Sequence, residues 1–251
     1  MEYLSAQRCL TMRAWEQGKD RFSQRGIRMT KSDRSLKAKL RGLPSLQGPF
    51  RDMDMAALPD TPHEAFRAWL YEAIAHGIKE PHAMTLSTVD ENGWPDARVL
   101  ILKNIDDRGW HFATNVGSPK GQQIAGDCRV ALTFYWPQLG RQIRLRGKAV
   151  ELQDAECAED FLRRPIGSKV VAIASKQSQV LPTHDALIYR LAEASAFLES
   201  NPGHVESGWR VFAVAPEIVE FWQGATDRLH KRLQYVFTSE CGRWQKHHLW
   251  P

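Results

Sequence analysis

The segment HAMTLSTVDENGWPDARVLILKNIDDRGWHFATN, residues 82–115, carries the clearest secondary-structure pattern in the sequence. Its apolar and β-branched residues fall into three runs, at 82–89, 97–104 and 110–115. Two turn-forming sequences, DENG (90–93) and DDRG (106–109), separate the runs. Because strands joined by such short turns lie side by side and run in opposite directions, the segment predicts an antiparallel meander of three strands.

The rest of the chain adds short elements of both kinds around this meander. Thr61, Pro62 and Glu64 form the capping box of a helix that ends at Gly77, with apolar residues at helical spacing over 66–74. Further helices are predicted at 118–125, 155–163 and 182–199, and further strands at 130–136, 142–152, 209–215, 217–222, 229–237 and 243–249. About nine short strands with irregularly spaced helices predict an α+β fold, mainly antiparallel β, and not a doubly wound sheet.

The positive charge of the chain is concentrated at its N-terminal end. The chain has a formal net charge of +5, but residues 1–40 alone carry +6, which leaves −1 for the other 211 residues. We expect residues 1–40 to form a basic, disordered tail and residues 41–251 to form a single domain. A transit peptide is the alternative for the tail, although acidic residues at positions 2, 16 and 20 fit it poorly. The balanced domain argues against nucleic-acid binding.

The sequence contains no pattern that predicts export, membrane insertion or a metal site. No stretch approaches the ~20 apolar residues of a membrane span, and none resembles a signal peptide. The four cysteines are widely scattered, at positions 9, 128, 157 and 241. Scattered cysteines are typical of free thiols in a reducing compartment, so we expect a cytoplasmic protein without a bound metal.

Several common catalytic signatures are missing from the sequence. It has no GxGxxG after a predicted strand, no Walker A loop, no GxSxG and no HExxH. Their absence argues against nucleotide hydrolysis, α/β-hydrolase chemistry and zinc proteolysis. The chain instead holds four short groupings of cations and polar donors: RVLILK (98–103), SPKG (118–121), RRPIGS (163–168) with KQSQ (176–179), and RLHKR (228–232).

These groupings are suited to binding anions. If residues 228–232 are extended, Arg228, His230 and Arg232 share one strand face, where their charges repel each other unless an anion lies between them. Lys120 follows a predicted helix start, whose backbone donors also favour an anion. Each grouping alone is equally consistent with a solvated strand face, snorkelling cations or loop capping. Four of them in a domain of net charge −1 predict two phosphorylated ligands.

The same strings resemble the pyridoxamine 5′-phosphate oxidase family over about residues 58–251. The motifs that carry the resemblance are RVLILK (98–103), FATN with SPKG (112–121), FYWPQLGRQ (134–142), RPIGS (164–168), ASKQS (174–178), EFWQG (220–224) and RLHKR (228–232). The resemblance implies an FMN-binding split β-barrel with peripheral helices. It also implies a homodimer with FMN at the subunit interface and a C-terminal dimerisation region at about 208–251.

The resemblance also implies an activity and a set of site residues. The activity is oxidation of pyridoxamine or pyridoxine 5′-phosphate to pyridoxal 5′-phosphate, with O₂ reduced to H₂O₂. Lys103, Arg164 and Ser168 match positions that bind the substrate phosphate, and Arg228 and His230 match catalytic groups over the substrate ring. The implied FMN-binding residues are Arg98, Val99, Leu100, Lys103, Ala113, Thr114, Ser118, Lys120, Gln142, Gln177, Ser178, Trp222 and Arg232.

Three positions depart from the family pattern. Asp160 stands where the family has a phosphate-binding tyrosine, Pro119 stands where it has a flavin-contacting arginine, and residues 40–47 lack its R-x-x-Y motif. A carboxylate at position 160 would repel a phosphate. Two alternatives therefore remain open. One is a flavoenzyme that oxidises a different reduced ring, and the other is a non-catalytic protein that binds FMN or pyridoxal phosphate.

Overall fold

A computed structural model describes residues 35–240 and 242–251. The predictions for residues 1–34, Cys9 and Cys241 lie outside these ranges. The described residues fall into two units, 35–45 and 46–251, which are treated separately. In the first, residues Leu36–Gly42 form helix α1, so the domain boundary predicted after residue 40 falls within a helix.

The second unit contains five α-helices, two short 3₁₀ helices (Met55–Ala57 and Pro137–Leu139) and nine strands among its described residues. The helices are α2 (Pro62–Ala75), α3 (Pro119–Gly126), α4 (Asp154–Leu162), α5 (Ile166–Ala174) and α6 (His184–Ser200). The strands are β1 (Ala83–Val89), β2 (Pro95–Ile101), β3 (Asn104–Asp106), β4 (Gly109–Asn115), β5 (Arg129–Trp136), β6 (Arg141–Glu151), β7 (Trp209–Gln223), β8 (Lys231–Thr238) and β9 (Arg243–Leu249). None of the described helices has the length and apolar character needed to span a bilayer.

All nine strands belong to one antiparallel sheet, as predicted. Its order is β2-β1-β5-β6-β7-β4-β3, and β8 joins it through β7 with β9 beyond. The predicted strand over 97–104 is two strands, because the backbone leaves the β2 ladder at Leu102. There Leu102 N donates to His82 O and Lys103 N donates to His111 O. Arg98 therefore lies on β2, whereas Lys103 lies in the link between β2 and β3.

Strand β7 connects the two halves of the sheet. The two predicted strands, 209–215 and 217–222, are one strand of 15 residues. Its first half pairs with β4 and its second half with β8, while β6 runs along both. The pairing with β6 shifts register between Arg146 and Gly147, next to Pro216. Proline has no N–H to donate to a ladder, so a bulge at this point is expected.

The core is rich in aromatic side chains from the inner face of the sheet and from helix α2. Thr61 caps α2 as predicted, since its hydroxyl accepts from Glu64 N at 3.3 Å and lies 2.9 Å from the Glu64 carboxylate. Phe66 and Trp69 are fully buried, whereas Ile74, predicted on the same face, is exposed. The rings of Trp69 and Phe221 of β7 pack edge to face, with centroids 5.1 Å apart. The helix therefore covers the inside of the curled sheet.

Candidate active site

Five of the predicted FMN-binding residues lie close together around Lys120, and we refer to Arg98, Thr114, Ser118, Lys120 and Gln177 as the Lys120 cluster. Lys120 Nζ donates to Gln177 Oε1 at 2.9 Å and to Ser118 Oγ at 3.3 Å. Ser118 Oγ lies 3.4 Å from Thr114 Oγ1 and also caps helix α3 by accepting from Gly121 N. Residues far apart in the sequence thus converge on one ammonium group.

The Lys120 ammonium lies in a desolvated and electropositive environment. Lys120 is only 6 % exposed. Burial lowers the pKa of its ammonium and the nearby charge of Arg98 lowers it further, whereas the Asp96 carboxylate acts in the opposite direction. The N-terminus of α3, the positive end of the helix dipole, lies at Ser118. Two cations and a helix N-terminus at one place favour an anionic ligand such as a phosphate.

Arg98 is held by residues that the sequence analysis did not identify. Its guanidinium donates to Thr88 Oγ1 at 2.5 Å and to Gln123 Oε1 at 3.3 Å, and it forms an ion pair with Asp96. The only sequence signal for these partners was the position of Thr88 and Arg98 near the ends of a predicted hairpin. The strand register, which places Arg98 opposite Leu86, brings Thr88 within reach.

The three residues predicted to bind the substrate phosphate are connected through Trp209 and a carboxylate that pairs with Lys103. Lys103 Nζ lies 3.0 Å from Asp160 Oδ1, and Trp209 Nε1 donates to Asp160 Oδ2 at 2.8 Å. The Arg164 guanidinium stacks 3.8 Å above the Trp209 ring and donates to the Ser168 carbonyl at 3.0 Å. We call Lys103, Asp160, Arg164, Ser168 and Trp209 the Lys103 cluster.

The third group surrounds His230 and differs from the prediction. Arg228 has a φ of +68°, and strand β8 begins only at Lys231. The chain turns here because His230 N donates to Arg228 O at 2.9 Å and Ala225 N donates to His230 Nδ1 at 3.1 Å. The prediction that Arg228, His230 and Arg232 share one strand face is therefore wrong. The His230 ring instead packs on Trp222, with ring centroids 4.8 Å apart.

Arg232 is paired with a buried acid that sequence reasoning did not identify. Glu220, which is 6 % exposed, accepts from Arg232 Nε at 2.9 Å and from Arg144 Nη2 at 2.6 Å. Burial opposes its ionisation, but these hydrogen bonds lower its pKa. The sequence did offer a signal for this pair. The acid in the aromatic string EFWQG is expected to be buried, and a buried carboxylate requires a cationic partner.

The loop that carries Arg228 and His230 starts from a buried polar network. Arg141 Nε donates to Gln223 Oε1 at 3.0 Å. Its terminal nitrogens Nη1 and Nη2 donate to the Glu72 carboxylate at 2.8 and 3.1 Å. Gln223 Nε2 in turn donates to the carbonyls of residues 139, 140 and 224. This network fixes the end of β7 from which the loop leaves.

The remaining predicted FMN residues take no part in these side-chain contacts. Val99 is exposed on β2, Leu100 and Ala113 are partly buried, and Ser178 adopts a positive φ in the segment that joins α5 to α6. Gln142 pairs with Trp222 across the β6–β7 ladder. The predicted residues thus fall into three groups on separate parts of one chain.

Comparison with known proteins gives consistent matches over most of the domain. Residues 70–197 match the family model for pyridoxamine 5′-phosphate oxidase, and residues 209–251 match the model for the pyridoxine 5′-phosphate oxidase C-terminal dimerisation region. The pyridoxine/pyridoxamine 5′-phosphate oxidase of Thermosynechococcus vestitus is 42 % identical over 192 residues, covering 76 % of this chain and 90 % of that protein. The enzyme of the same name from Cupriavidus taiwanensis is 41 % identical over 198 residues, covering 79 % and 91 %.

Solved structures show the same fold. PhzG from Burkholderia lata, solved in complex with tetrahydrophenazine-1-carboxylic acid, superposes with a TM-score of 0.74 at 29 % identity, covering 81 % of this chain and all of that one. An FMN-binding protein from Nostoc punctiforme superposes with a TM-score of 0.62 at 15 % identity, covering 76 % and 98 %. The predicted split β-barrel is confirmed, and the chain belongs to the pyridoxamine 5′-phosphate oxidase family, a family of oxidoreductases.

Proposed function

We propose that this protein is an FMN-dependent oxidase that converts pyridoxamine or pyridoxine 5′-phosphate to pyridoxal 5′-phosphate, with O₂ reduced to H₂O₂. Membership of the family supports the reaction class. The observation that carries the proposal is the Lys120 cluster, in which a buried lysine and an arginine converge with hydroxyl and amide donors. The free thiols of Cys128 and Cys157 fit a cytoplasmic location.

The donor set of the Lys120 cluster fits the phosphate of FMN. Arg98, Lys120 and Gln177 would hold its oxygens, with Ser178 in the adjoining segment and the hydroxyls of Thr114 and Ser118 completing the cradle. The ring and its edge would be lined by Val99, Leu100, Lys103, Ala113, Gln142, Trp222 and Arg232. When bound, FMN would supply the redox chemistry by accepting a hydride from the substrate and passing the electrons to O₂.

A homodimer would assemble this site from residues that one chain keeps apart. Strand β2, which carries Arg98 and Val99, stands at one end of the sheet order, whereas Trp222 and Arg232 lie on β7 and β8. Val99 is 66 % exposed, which leaves an apolar side chain available to a second subunit. The match of residues 209–251 to a dimerisation region supports the same arrangement.

The chain itself would bind and orient the substrate. Lys103, Arg164 and Ser168 would hold the anionic group, which fixes one end of the substrate. Arg228 and His230 would contact the substrate ring and direct its C4′ carbon towards the flavin. His230 is suited to this role because Trp222 and the backbone N–H of Ala225 already fix its ring. Catalysis in such a site depends mainly on positioning, because the cofactor carries the electrons.

The proposal is tested by the visible spectrum of the purified protein. We expect a yellow protein whose flavin absorbance is lost when pyridoxine 5′-phosphate is added without O₂ and returns in air with formation of H₂O₂. A colourless protein that does not take up added FMN would contradict the proposal. A yellow protein that neither pyridoxine nor pyridoxamine 5′-phosphate reduces would contradict the assigned substrate but not flavin binding.

A second candidate is oxidation of a reduced ring that carries a carboxylate in place of a phosphate. The position of Asp160 next to Lys103 favours it, because this carboxylate makes the Lys103 cluster less positive. The similarity to PhzG, which was solved with a carboxylated ring compound, points in the same direction. Anaerobic reduction of the flavin by a dihydro-aromatic carboxylic acid, but not by pyridoxine 5′-phosphate, would select this candidate.

Replacement of Arg228 tests the assignment of the catalytic loop. Arg228→Ala should lower kcat/KM by about 100-fold, because a cation that orients the reacting carbon is lost, while FMN stays bound. Turnover and the flavin absorbance of the same sample are the two measurements. Arg163→Ala, which removes an exposed arginine paired with Glu159, is the control and should change neither. Loss of FMN from Arg228→Ala would show that the residue belongs to the cofactor site instead.

A further inference from the structure

The Lys103 cluster contains a fixed negative charge among the groups proposed to hold the substrate's anion. Asp160 Oδ1 lies 3.0 Å from Lys103 Nζ. Its other oxygen accepts a hydrogen bond from the indole N–H of Trp209 at 2.8 Å. Both carboxylate oxygens are thus engaged, and the side chain is held at a defined position by helix α4 and the start of β7.

This ion pair differs from the exposed pairs elsewhere on the surface. The side chains of Lys103 and Asp160 are 33 % and 19 % exposed, whereas those of the neighbouring pair Arg163 and Glu159 are 78 % and 57 % exposed. Partial burial reduces screening by water and salt, so the charge of Asp160 acts on Lys103 more strongly than an exposed carboxylate would. The ammonium of Lys103 is therefore already paired with a carboxylate before any ligand binds.

Arg164 remains able to accept a ligand. Its guanidinium stacks on Trp209 and uses one nitrogen to donate to the Ser168 carbonyl. Its Nε is buried and has no hydrogen-bond partner among the described residues. Burial lowers the pKa of this guanidinium, and Asp160 acts in the opposite direction. The cluster thus presents two cations and one carboxylate, with an unused donor on one of the cations.

The net charge of this cluster decides which anion it prefers. Two cations without a carboxylate would match a phosphate ester, which carries about −1.5 to −2 near pH 7. With Asp160 ionised, the cluster carries one net positive charge, which matches a carboxylate or a singly charged phosphate. A doubly charged phosphate would have to displace Asp160 from Lys103 and would still face its negative charge.

We propose, on the basis of the proposed function, that Asp160 is a specificity-determining residue: it competes with the substrate's anionic group for Lys103 and weakens binding of a dianionic phosphate. The proposal extends the proposed function by naming the charge of the group that the site favours. Asp160 acts through Lys103 and takes no part in the chemistry at the ring.

Binding of a non-reactive ligand pair tests this inference without turnover. 4-Deoxypyridoxine 5′-phosphate lacks the group to be oxidised, and 4-deoxypyridoxine has the same ring without the phosphate. We expect Asp160→Asn to bind the phosphorylated ligand about tenfold more tightly than the natural protein in calorimetric titrations at low salt. Asparagine keeps an oxygen that accepts from Trp209, so the local structure is retained. Affinity for the unphosphorylated ring should change less than twofold.

A matched control removes the same charge one residue away. Glu159→Gln changes the net charge equally, but Glu159 is exposed and pairs with Arg163. It should leave both affinities within twofold of the natural protein. The gain of Asp160→Asn should shrink at high salt, because it is electrostatic in origin.

The outcomes separate this inference from the proposed function. The inference would be overturned if Asp160→Asn bound the phosphorylated ligand no more tightly than the natural protein does. It would also be overturned if the affinity of Asp160→Asn for the unphosphorylated ring, or the affinity of Glu159→Gln for the phosphorylated ligand, rose by the same factor. The inference would likewise be overturned if neither protein showed detectable binding of the phosphorylated ligand. Failure to bind FMN would contradict the proposed function, whereas the affinity ratio of the two proteins would still decide the role of Asp160.

Discussion

Lys120→Met is expected to weaken FMN binding by about 100-fold or more, so that the purified variant is colourless. Lys120 is buried, and its ammonium is held by Ser118 and Gln177 beside Arg98. Methionine has a similar volume but no charge, so it removes the ammonium–phosphate contact and leaves Ser118 Oγ and Gln177 Oε1 without the donor from which they accept. Losing one partner of a buried, hydrogen-bonded charge pair costs about 2–5 kcal/mol.

The measurement is the quenching of FMN fluorescence when apoprotein is titrated into free cofactor. Lys148→Met is the matched control, because Lys148 is exposed on β6 and should be replaceable without effect. The melting temperatures of both apoproteins should stay close to that of the natural protein. FMN affinity of Lys120→Met within threefold of the natural value would contradict the placement of the cofactor phosphate.

Arg141→Met is expected to lower the free energy of unfolding by about 3–5 kcal/mol. Arg141 is 1 % exposed, lies 4.5 Å above the Trp69 ring and makes two hydrogen bonds to Glu72. Those hydrogen bonds hold the pKa of Glu72 below its usual value. Methionine can fill much of the volume, but it leaves Glu72 with the exposed Arg51 at 3.6 Å in place of a buried, hydrogen-bonded cation, and it removes a donor from Gln223.

Denaturant titration of apoprotein measures this loss. Arg129→Met is the control, because Arg129 is 78 % exposed and forms an ion pair with nearby Asp127, so its replacement should change stability by less than about 0.5 kcal/mol. Arg141→Met protein that stays folded should also have a lower kcat, since Gln223 fixes the start of the loop that carries His230. A loss of stability below about 1 kcal/mol would show that the pair is solvated.

Local sequence signals predicted most of the secondary structure. The capping box at Thr61 and the Ser-Pro sequence at 118–119 placed two helix starts correctly, because capping depends on residues within one turn. Helix α5 was not predicted, since Ile166–Ala174 is short and follows the turn-like sequence RRP. The division of 209–223 into two strands was wrong, because a proline can be accommodated by a bulge when a neighbouring strand shifts register.

The candidate site was predicted as a set of residues but not as a set of contacts. Motif resemblance named Lys103, Arg164 and Lys120, but nothing in the local sequence indicated that Asp160 pairs with Lys103 across 57 positions. The same holds for Glu220, which binds Arg144 of the neighbouring strand. Pairing partners of buried charges are set by strand register and helix packing, which depend on the whole chain.

The sequence by itself determined the antiparallel meander of residues 82–115 and the α+β class, and it predicted that the cationic strings bind anions. These properties follow from turn chemistry, hydrophobic alternation and residue type, all of which act over a few residues. Only the tertiary structure decided that Lys120 donates a hydrogen bond to Gln177, that Arg228 lies in a turn and that a carboxylate forms an ion pair with Lys103. Those outcomes depend on contacts between distant segments, and Coulomb energies weaken with distance and strengthen with burial, neither of which a local pattern specifies.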